Sequence, residues 1–326
     1  MLQKEIELER QGVIQPQTMT LSKEVSLIYG YNNCGKTTLL RQINAQFDKQ
    51  LQRSILDERE SFLSLYLPTN RLTVNQRFTR EYDIHDREDL LSYKRGIYED
   101  FALHLNVLRE NLLENPFICK FVLDAVNKMF DTEMKEYIPR YSDGIENIIN
   151  IYLNIIWILT WDIDYKRITQ EKLRQLLSQR CAYILIDEIE MFLHVKIQDK
   201  FIECMKQDFP KCIFVFTTHS PLLLTRYKDI AIYELKNGWL DSVESDYYFI
   251  DLDCVYESLF QVKELPDDVA VRINYLGDVI MGIEMPDKDK VEESLDFLEH
   301  NYPNIARKYN NYLLKAGMKA GIYESL

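Results

Sequence analysis

Short apolar runs alternate along this chain with stretches whose apolar residues recur every three or four positions. Val25–Tyr29, Phe62–Leu67, Tyr183–Ile186, Ile213–Phe216 and Ile230–Leu235 are compact and rich in β-branched or aromatic residues. Runs of this length, bounded by turn or polar residues, predict buried strands. Residues 1–24 add a strand or two, with Gly12 and Pro16 as turn signals. Helical spacing follows Lys36. It continues through Glu81–Lys135 (Leu103, Val107, Leu108 and Leu112), from about Ser142 to Leu159, through Arg167–Arg180 and through Lys196–Gln207. From Asp251 onward the pattern is helical again, broken at Pro266, Pro286 and Pro303. Strands alternating with helices predict an open α/β sheet with its ligand at the carboxyl edge. The expected division is a core of residues 1–80 and 138–250, a helical insertion at 81–137, and a helical C-terminal region at 251–326.

Val25 to Leu40 read VSLIYGYNNCGKTTLL, so G-x-x-x-x-G-K-T lies between a strand and a helix. In that context it is a phosphate loop. Gly30, Asn32, Asn33, Cys34, Gly35 and Thr38 belong to a backbone curl that aims N–H groups and a helix N-terminus at one anion. Lys36 is expected on the β/γ-phosphates and the Thr37 hydroxyl on Mg²⁺. Asp187-Glu188 ends the Tyr183–Ile186 strand, the Walker B arrangement. Asp187 is expected to hold Mg²⁺ opposite Thr37. Glu188 is expected to orient or deprotonate the attacking water, because phosphoryl transfer rests mainly on positioning and charge neutralisation. His219, one strand further on, is in place to bond the γ-phosphate or that water.

The 326 residues are 46% apolar and 28% charged, a globular composition, and the formal net charge is −13. That balance argues against a broad electropositive surface while leaving room for a local basic groove. Two segments could supply one: Arg71, Arg77 and Arg80, and Lys166, Arg167, Lys172, Arg174 and Arg180. Solvated faces are the alternative. None of the six cysteines forms a C-x-x-C pair, which favours buried thiols. MLQKEIELER is too charged for a signal peptide, and Ile148–Leu159 is interrupted by asparagines and too short to span a bilayer. A cytoplasmic protein without membrane contact is expected. Asn147, Asn150 and Asn154 share one helix face, either as buried amides bonding neighbouring loops or as contacts to the nucleotide machinery. The aromatic and Met-rich C-terminal residues (Tyr256, Leu259, Phe260, Tyr275, Met281, Tyr309, Tyr312, Leu313) are either core or a docking surface.

The phosphate loop, Leu67-Pro-Thr-Asn-Arg71, Ser142-Asp-Gly-Ile-Glu146, Ile184-Leu-Ile-Asp-Glu-Ile-Glu190 with Leu193-His194, and Thr218-His-Ser-Pro221 occur in a fixed order. That order resembles the ABC-type ATPases of the SMC/RecF/OLD branch, whose pattern runs GxNNSGKT, a proline–arginine turn, LSxG, LIDEPExxLHP and THSP. The chain departs from it at Cys34 (usually Ser), at Ile189 and Val195 (usually Pro), and at Phe192 (usually His). The resemblance implies an ATP- and Mg²⁺-dependent ATPase that forms a homodimer or higher homo-oligomer. Ser142 and Gly144 of one subunit would then close on the γ-phosphate held by Lys36 of the other. Similar stand-alone ATPases serve phage-defence systems of the Septu and PARIS types, in which a separate effector, a nuclease or other toxin, carries the toxic activity. The alternative is a RecF/SMC-like DNA-repair ATPase. The aromatic residue that stacks adenine in transporter-type ABC domains is missing before Val25. Asp251-Leu252-Asp253 lacks the preceding strand–Glu–Gly of a TOPRIM nuclease.

Overall fold

The computed structural model describes residues 4–57, 63–69, 101–136, 141–243, 267–280 and 284–315. It divides into two compact units, Met1–Leu252 and Asp253–Leu326.

Strands Lys4–Leu8 (β1) and Gln17–Leu21 (β2) pair antiparallel, with Ile6 opposite Met19. Their alternation buries Ile6, Leu8, Met19 and Leu21 on one face and leaves the other face to polar residues. Val25–Tyr29 (β3) begins the main sheet, and all five of its residues are buried, as expected of a strand covered on both faces. The other strands are Leu63–Leu67 (β4), Ala182–Ile186 (β5), Ile213–Thr218 (β6), Ala231–Lys236 (β7) and Trp239–Ser242 (β8). Their order is β4-β5-β6-β3-β7-β8. The first five strands run parallel, and β8 is antiparallel to β7. Asn237 and Gly238, with φ of 53° and 83°, turn the chain between these last two. Asn-Gly with both φ positive is the turn whose twist matches a hairpin.

Lys36–Asp57 (α1) follows β3 directly. Its Leu39, Leu40, Ile43 and Phe47 are fully buried in a core shared with Ile28, Leu185 and Tyr183, whose ring stacks on Phe47 at 4.1 Å between centroids. Phe101–Leu112 (α2) and Pro116–Phe130 (α3) both pack on Asp143–Thr160 (α4). Asn115 starts α3 by accepting from the N–H groups of Phe117 and Ile118, and Pro116 fills the position whose N–H is dispensable. Helix α4 is apolar on every side and buried from Glu146 to Thr160, the pattern of a helix enclosed by protein. Its Asn stripe consists of buried amides. Asn147 donates to Met191 O, Asn154 to Asn150 O, and Asn150 accepts from Arg109.

Gln170–Gln179 (α5), Val195–Asp208 (α6) and Pro221–Arg226 (α7) complete the first unit. No helix among the described residues is long and apolar enough to cross a membrane. In the second unit, Asp267–Ile280 (α8), Lys288–Asn301 (α9) and Pro303–Lys315 (α10) enclose Val269, Leu276, Val279 and Leu298. Tyr275 and Leu313 lie in that core, and Tyr312 is exposed. Tyr256, Leu259, Phe260, Met281, Asp251 and Asp253 lie outside the described residues, as do Arg71, Arg77, Arg80 and residues 81–100 of the expected insertion.

Candidate functional site

The carboxyl ends of β3, β5 and β6, neighbours in the sheet, bring three sequence segments together. Between β3 and α1 the loop Gly30–Gly35 carries Asn33 at φ 61° and Gly35 at φ 105°. Left-handed residues in such a loop let successive N–H groups line an anion-sized concavity. A Cβ on Gly35 would stand 2.6 Å from Val13 Cγ2 and 2.9 Å from Ile14 Cδ1, so the β1–β2 connection presses directly on the loop.

Lys36 is buried, and its ammonium donates to Gly30 O at 2.8 Å and Tyr31 O at 3.0 Å. Burial pulls its pKa below the usual lysine range, against the opposing pull of Cys34, Glu188, Asp187 and Glu190. The loop carbonyls thus hold the cation in place where a nucleotide's phosphates would otherwise pair with it.

Asp187 is 1% exposed. Its Oδ2 accepts from the hydroxyls of Thr37 at 2.5 Å and Thr69 at 3.3 Å, and its Oδ1 accepts from Thr217 at 2.5 Å. One carboxylate beside hydroxyl oxygens fits a Mg²⁺ ion, a hard cation that takes oxygen ligands and is bound by one or two carboxylates beside substrate phosphates and retained waters.

Glu188 sits at φ 47°, a conformation that costs energy for a non-glycine residue and recurs at functional sites. Its N–H donates to Thr217 Oγ1 at 2.8 Å, which fixes the twist. The His219 Nε2 lies 3.8 Å from Glu188 Oε1, and both side chains are about 30% exposed (31% and 28%).

The turn carrying His219 is held from below. Glu190 accepts from Thr218 Oγ1 at 2.8 Å and from the His219 N–H at 2.6 Å. Ser220 Oγ donates to Gln198 Oε1, and Gln198 Nε2 donates to Leu193 O, which ties this turn to the segment after Glu188. The sequence reading gave Thr217 and Gln198 no role and quoted Glu190 only as part of a motif. Only their nearness to the acidic pair and to His219 could have flagged them.

Burial first, and then the Lys36 charge, lower the His219 pKa below its ordinary value, outweighing the Glu190, Glu188 and Asp187 carboxylates. His219 is therefore neutral at pH 7 and protonates only below the usual histidine range, about pH 6.5. Activity that uses the neutral imidazole is expected to be level from pH 8 down to that range and to fall below it. The same depressed pKa makes the folded chain lose stability as pH drops through that window, because the unfolded chain binds the proton more readily. A pH–rate profile compared with His219→Gln checks this; an acid limb unchanged in the variant rules His219 out as its source.

Ser142 and Gly144 occupy the N-terminus of α4. The Ser142 side chain makes no capping bond, and Asp143 stands in the first turn. Glu146 accepts from the Tyr141 N–H at 3.0 Å and pairs with Arg109 of α2, so the turn is braced from both sides. A Cβ on Gly144 would lie 2.8 Å from Phe192 O, which packs this turn against the segment after Glu188. Among the described residues no hydrogen bond joins Ser142 or Gly144 to Lys36 or Thr37. The structure therefore groups Lys36, Thr37, Asp187, Glu188 and His219, and Ser142 and Gly144 are not hydrogen-bonded into that group.

An α/β sheet, mostly parallel, with this loop and acidic pair at its carboxyl edge defines a P-loop nucleotide-binding core. Residues 172–225 match the family described as "AAA domain, putative AbiEii toxin, Type IV TA system". Over 42 residues the chain is 45% identical to the "Retron Vc95 probable ATPase" of Vibrio cholerae serotype O1 biovar El Tor, a stretch covering 13% of this chain and 8% of that protein. Among solved structures it is similar to cbiO1 from Clostridium perfringens, part of the ABC transporter complex cbiONQ, at 15% identity and a TM-score of 0.39, covering 91% of this chain and 92% of that one. It is also similar to the SMC head domain from Thermotoga maritima, at 12% identity and a TM-score of 0.40, covering 74% and 98%.

Proposed function

We propose that this chain is an ABC-type ATPase that binds and hydrolyses Mg²⁺–ATP, and that its nucleotide-driven assembly controls a separate effector in antiviral defence. The observation that carries the enzymatic part is the convergence of Lys36, Thr37, Asp187, Glu188 and His219 at one sheet edge. In this reading Lys36 leaves the Gly30 and Tyr31 carbonyls for the β/γ-phosphates. Thr37 and Asp187 would hold Mg²⁺, which supplies charge neutralisation on the phosphates. Glu188 orients and deprotonates the attacking water, and neutral His219 bonds the γ-phosphate side of the site. The defence role is supported by the two sequence similarities, to an AbiEii toxin family and to a retron ATPase.

Assembly rests on Ser142 and Gly144. A helix N-terminus attracts an anion, and among the described residues the Ser142 hydroxyl makes no capping bond, although Asp143 and Glu146 already put carboxylates in this first turn. Two copies facing each other would each complete the other's site. The test mixes two inactive proteins, Lys36→Ala and Ser142→Arg. Ser142→Arg suits this better than a change at Gly144, because Ser142 faces solvent whereas Gly144 is crowded by Phe192 O. In a two-fold dimer each mixed pair holds one site built only of intact parts, so an equal mixture should recover about a quarter of wild-type turnover. Full activity of Ser142→Arg alone contradicts the shared site.

The DNA-repair reading loses two of its five cations in the α5 region to local ion pairs. Arg180 pairs with Asp162 and Arg167 with Asp164 there, which makes these cations part of a balanced surface.

A further inference from the structure

A groove of about 530 Å³ lies between the end of β1 and the exposed side of α1. Arg41, Ala45 and Lys49 succeed one another at four-residue spacing along one stripe of α1, and Arg10 lines the groove from the segment after β1. The small Ala45 side chain keeps the space between the two helix cations open. The cations at the ends of this stripe are two helical turns apart, about 12 Å along the axis. Among the described residues, none of the three is in an ion pair. Glu9 also lines the groove, so three cations stand beside one carboxylate, a local net positive charge in a chain of net charge −13.

The walls are fixed. Gln42 Nε2 donates to Glu9 O at 2.9 Å and Gln46 Nε2 to Glu7 O, so two amides staple α1 to β1. The Arg41 guanidinium rests over the buried Tyr66 ring, 5.9 Å from its centroid. Gln42 is 8% exposed, and its Oε1 is buried with no hydrogen-bond partner.

The geometry points to a nucleotide-binding groove in which Arg10, Arg41 and Lys49 pair with phosphate and the glutamine carbonyls accept from base or sugar donors. An apolar ligand finds no counterpart here, since the lining is charged or amide except for Ala45. A bare inorganic anion would leave the amides unused. The shared chemistry is a phosphate attached to a group rich in N–H or O–H donors, and it occurs in a nucleic-acid strand and in a free nucleotide.

The test measures fluorescence anisotropy of the full chain with a labelled single strand of about ten nucleotides, within the usual footprint for such sites, and separately with labelled AMP. Each probe is titrated against wild type and against Arg10→Glu/Arg41→Glu/Lys49→Glu. The glutamine triple variant serves as a milder form, should charge reversal disturb folding. Binding of the strand should weaken at least about tenfold in the reversed protein, and its salt slope should flatten by about 2, the value for three lost cation–phosphate contacts on single strands. AMP binding that weakens in the same variants assigns the groove to a free nucleotide. Equal affinity in wild type and variants, or no binding of either probe at low salt, overturns the assignment.

Discussion

Lys36→Ala should abolish measurable ATP binding. The ammonium is buried and makes charge-assisted bonds even in the resting loop, where Gly30 O and Tyr31 O accept from it. On ATP binding the same cation exchanges two neutral acceptors for phosphate oxygens, a stronger interaction in a low-dielectric site. Truncating one member of a buried, hydrogen-bonded charge pair costs about 2–5 kcal/mol, or about thirty- to several-thousand-fold in affinity. Alanine also strips the loop carbonyls of their donor, so the empty loop loses order as well. Arginine does not rescue the loss, because its planar fork needs a wider cradle than a point-charge ammonium. Titration of a fluorescent ATP analogue into the variant checks this, with circular dichroism confirming the fold. Affinity within a few-fold of wild type would remove Lys36 from the site.

Glu188→Gln should keep ATP binding and lose turnover. The side chain changes by one atom type, and the backbone at φ 47° stays anchored through its N–H on Thr217 Oγ1. Thr37 and Asp187 are untouched, so the oxygens proposed to hold Mg²⁺ survive. What disappears is the carboxylate proposed to take a proton from water, and a positioned general base contributes about 10²–10⁴-fold in rate. Bound nucleotide then persists, and a nucleotide-held dimer accumulates in light scattering. Turnover that stays undiminished would move the base to another residue, with Glu190 the next carboxylate along. Glu190 is already engaged by Thr218 Oγ1 and the His219 N–H, so it can take that role only by releasing the turn it holds.

Much of this site was legible in the sequence because its parts sit where strands end. β3, β5 and β6 are continuous apolar runs, and strands buried on both faces leave no other pattern. The phosphate loop, the acidic pair and His219 follow those runs directly, so reading the strands placed these residues at one sheet edge. β8 was missed although Asn237-Gly238 carries the hairpin signal, because Trp239–Ser242 is short, polar and largely exposed.

The supporting shell could not be read. Thr217 beside Asp187, Glu190 beneath His219 and Gln198 between Ser220 and Leu193 are ordinary polar residues, whose pairing is set by tertiary approach across β5, β6 and α6. The Arg109–Glu146 pair joins residues far apart in sequence, and no periodicity announces it. The Asn stripe of α4 was visible as a pattern but ambiguous in meaning. Packing resolved it into amides that tie α4 to itself, to α2 and to the Met191 carbonyl. The groove at Arg10, Arg41 and Lys49 was hidden for the same reason: it exists only because β1 is stapled along α1.

The central claim is that one site in this chain binds Mg²⁺–ATP through Lys36, Thr37 and Asp187 and cleaves it through Glu188. The most direct measurement is phosphate release by the purified chain from ATP, with Mg²⁺ and with chelator, for wild type beside Glu188→Gln. The account predicts Mg²⁺-dependent release by wild type, and release reduced about a hundredfold or more in Glu188→Gln at unchanged ATP affinity. Equal release by the two proteins, or release that persists in chelator, would contradict it.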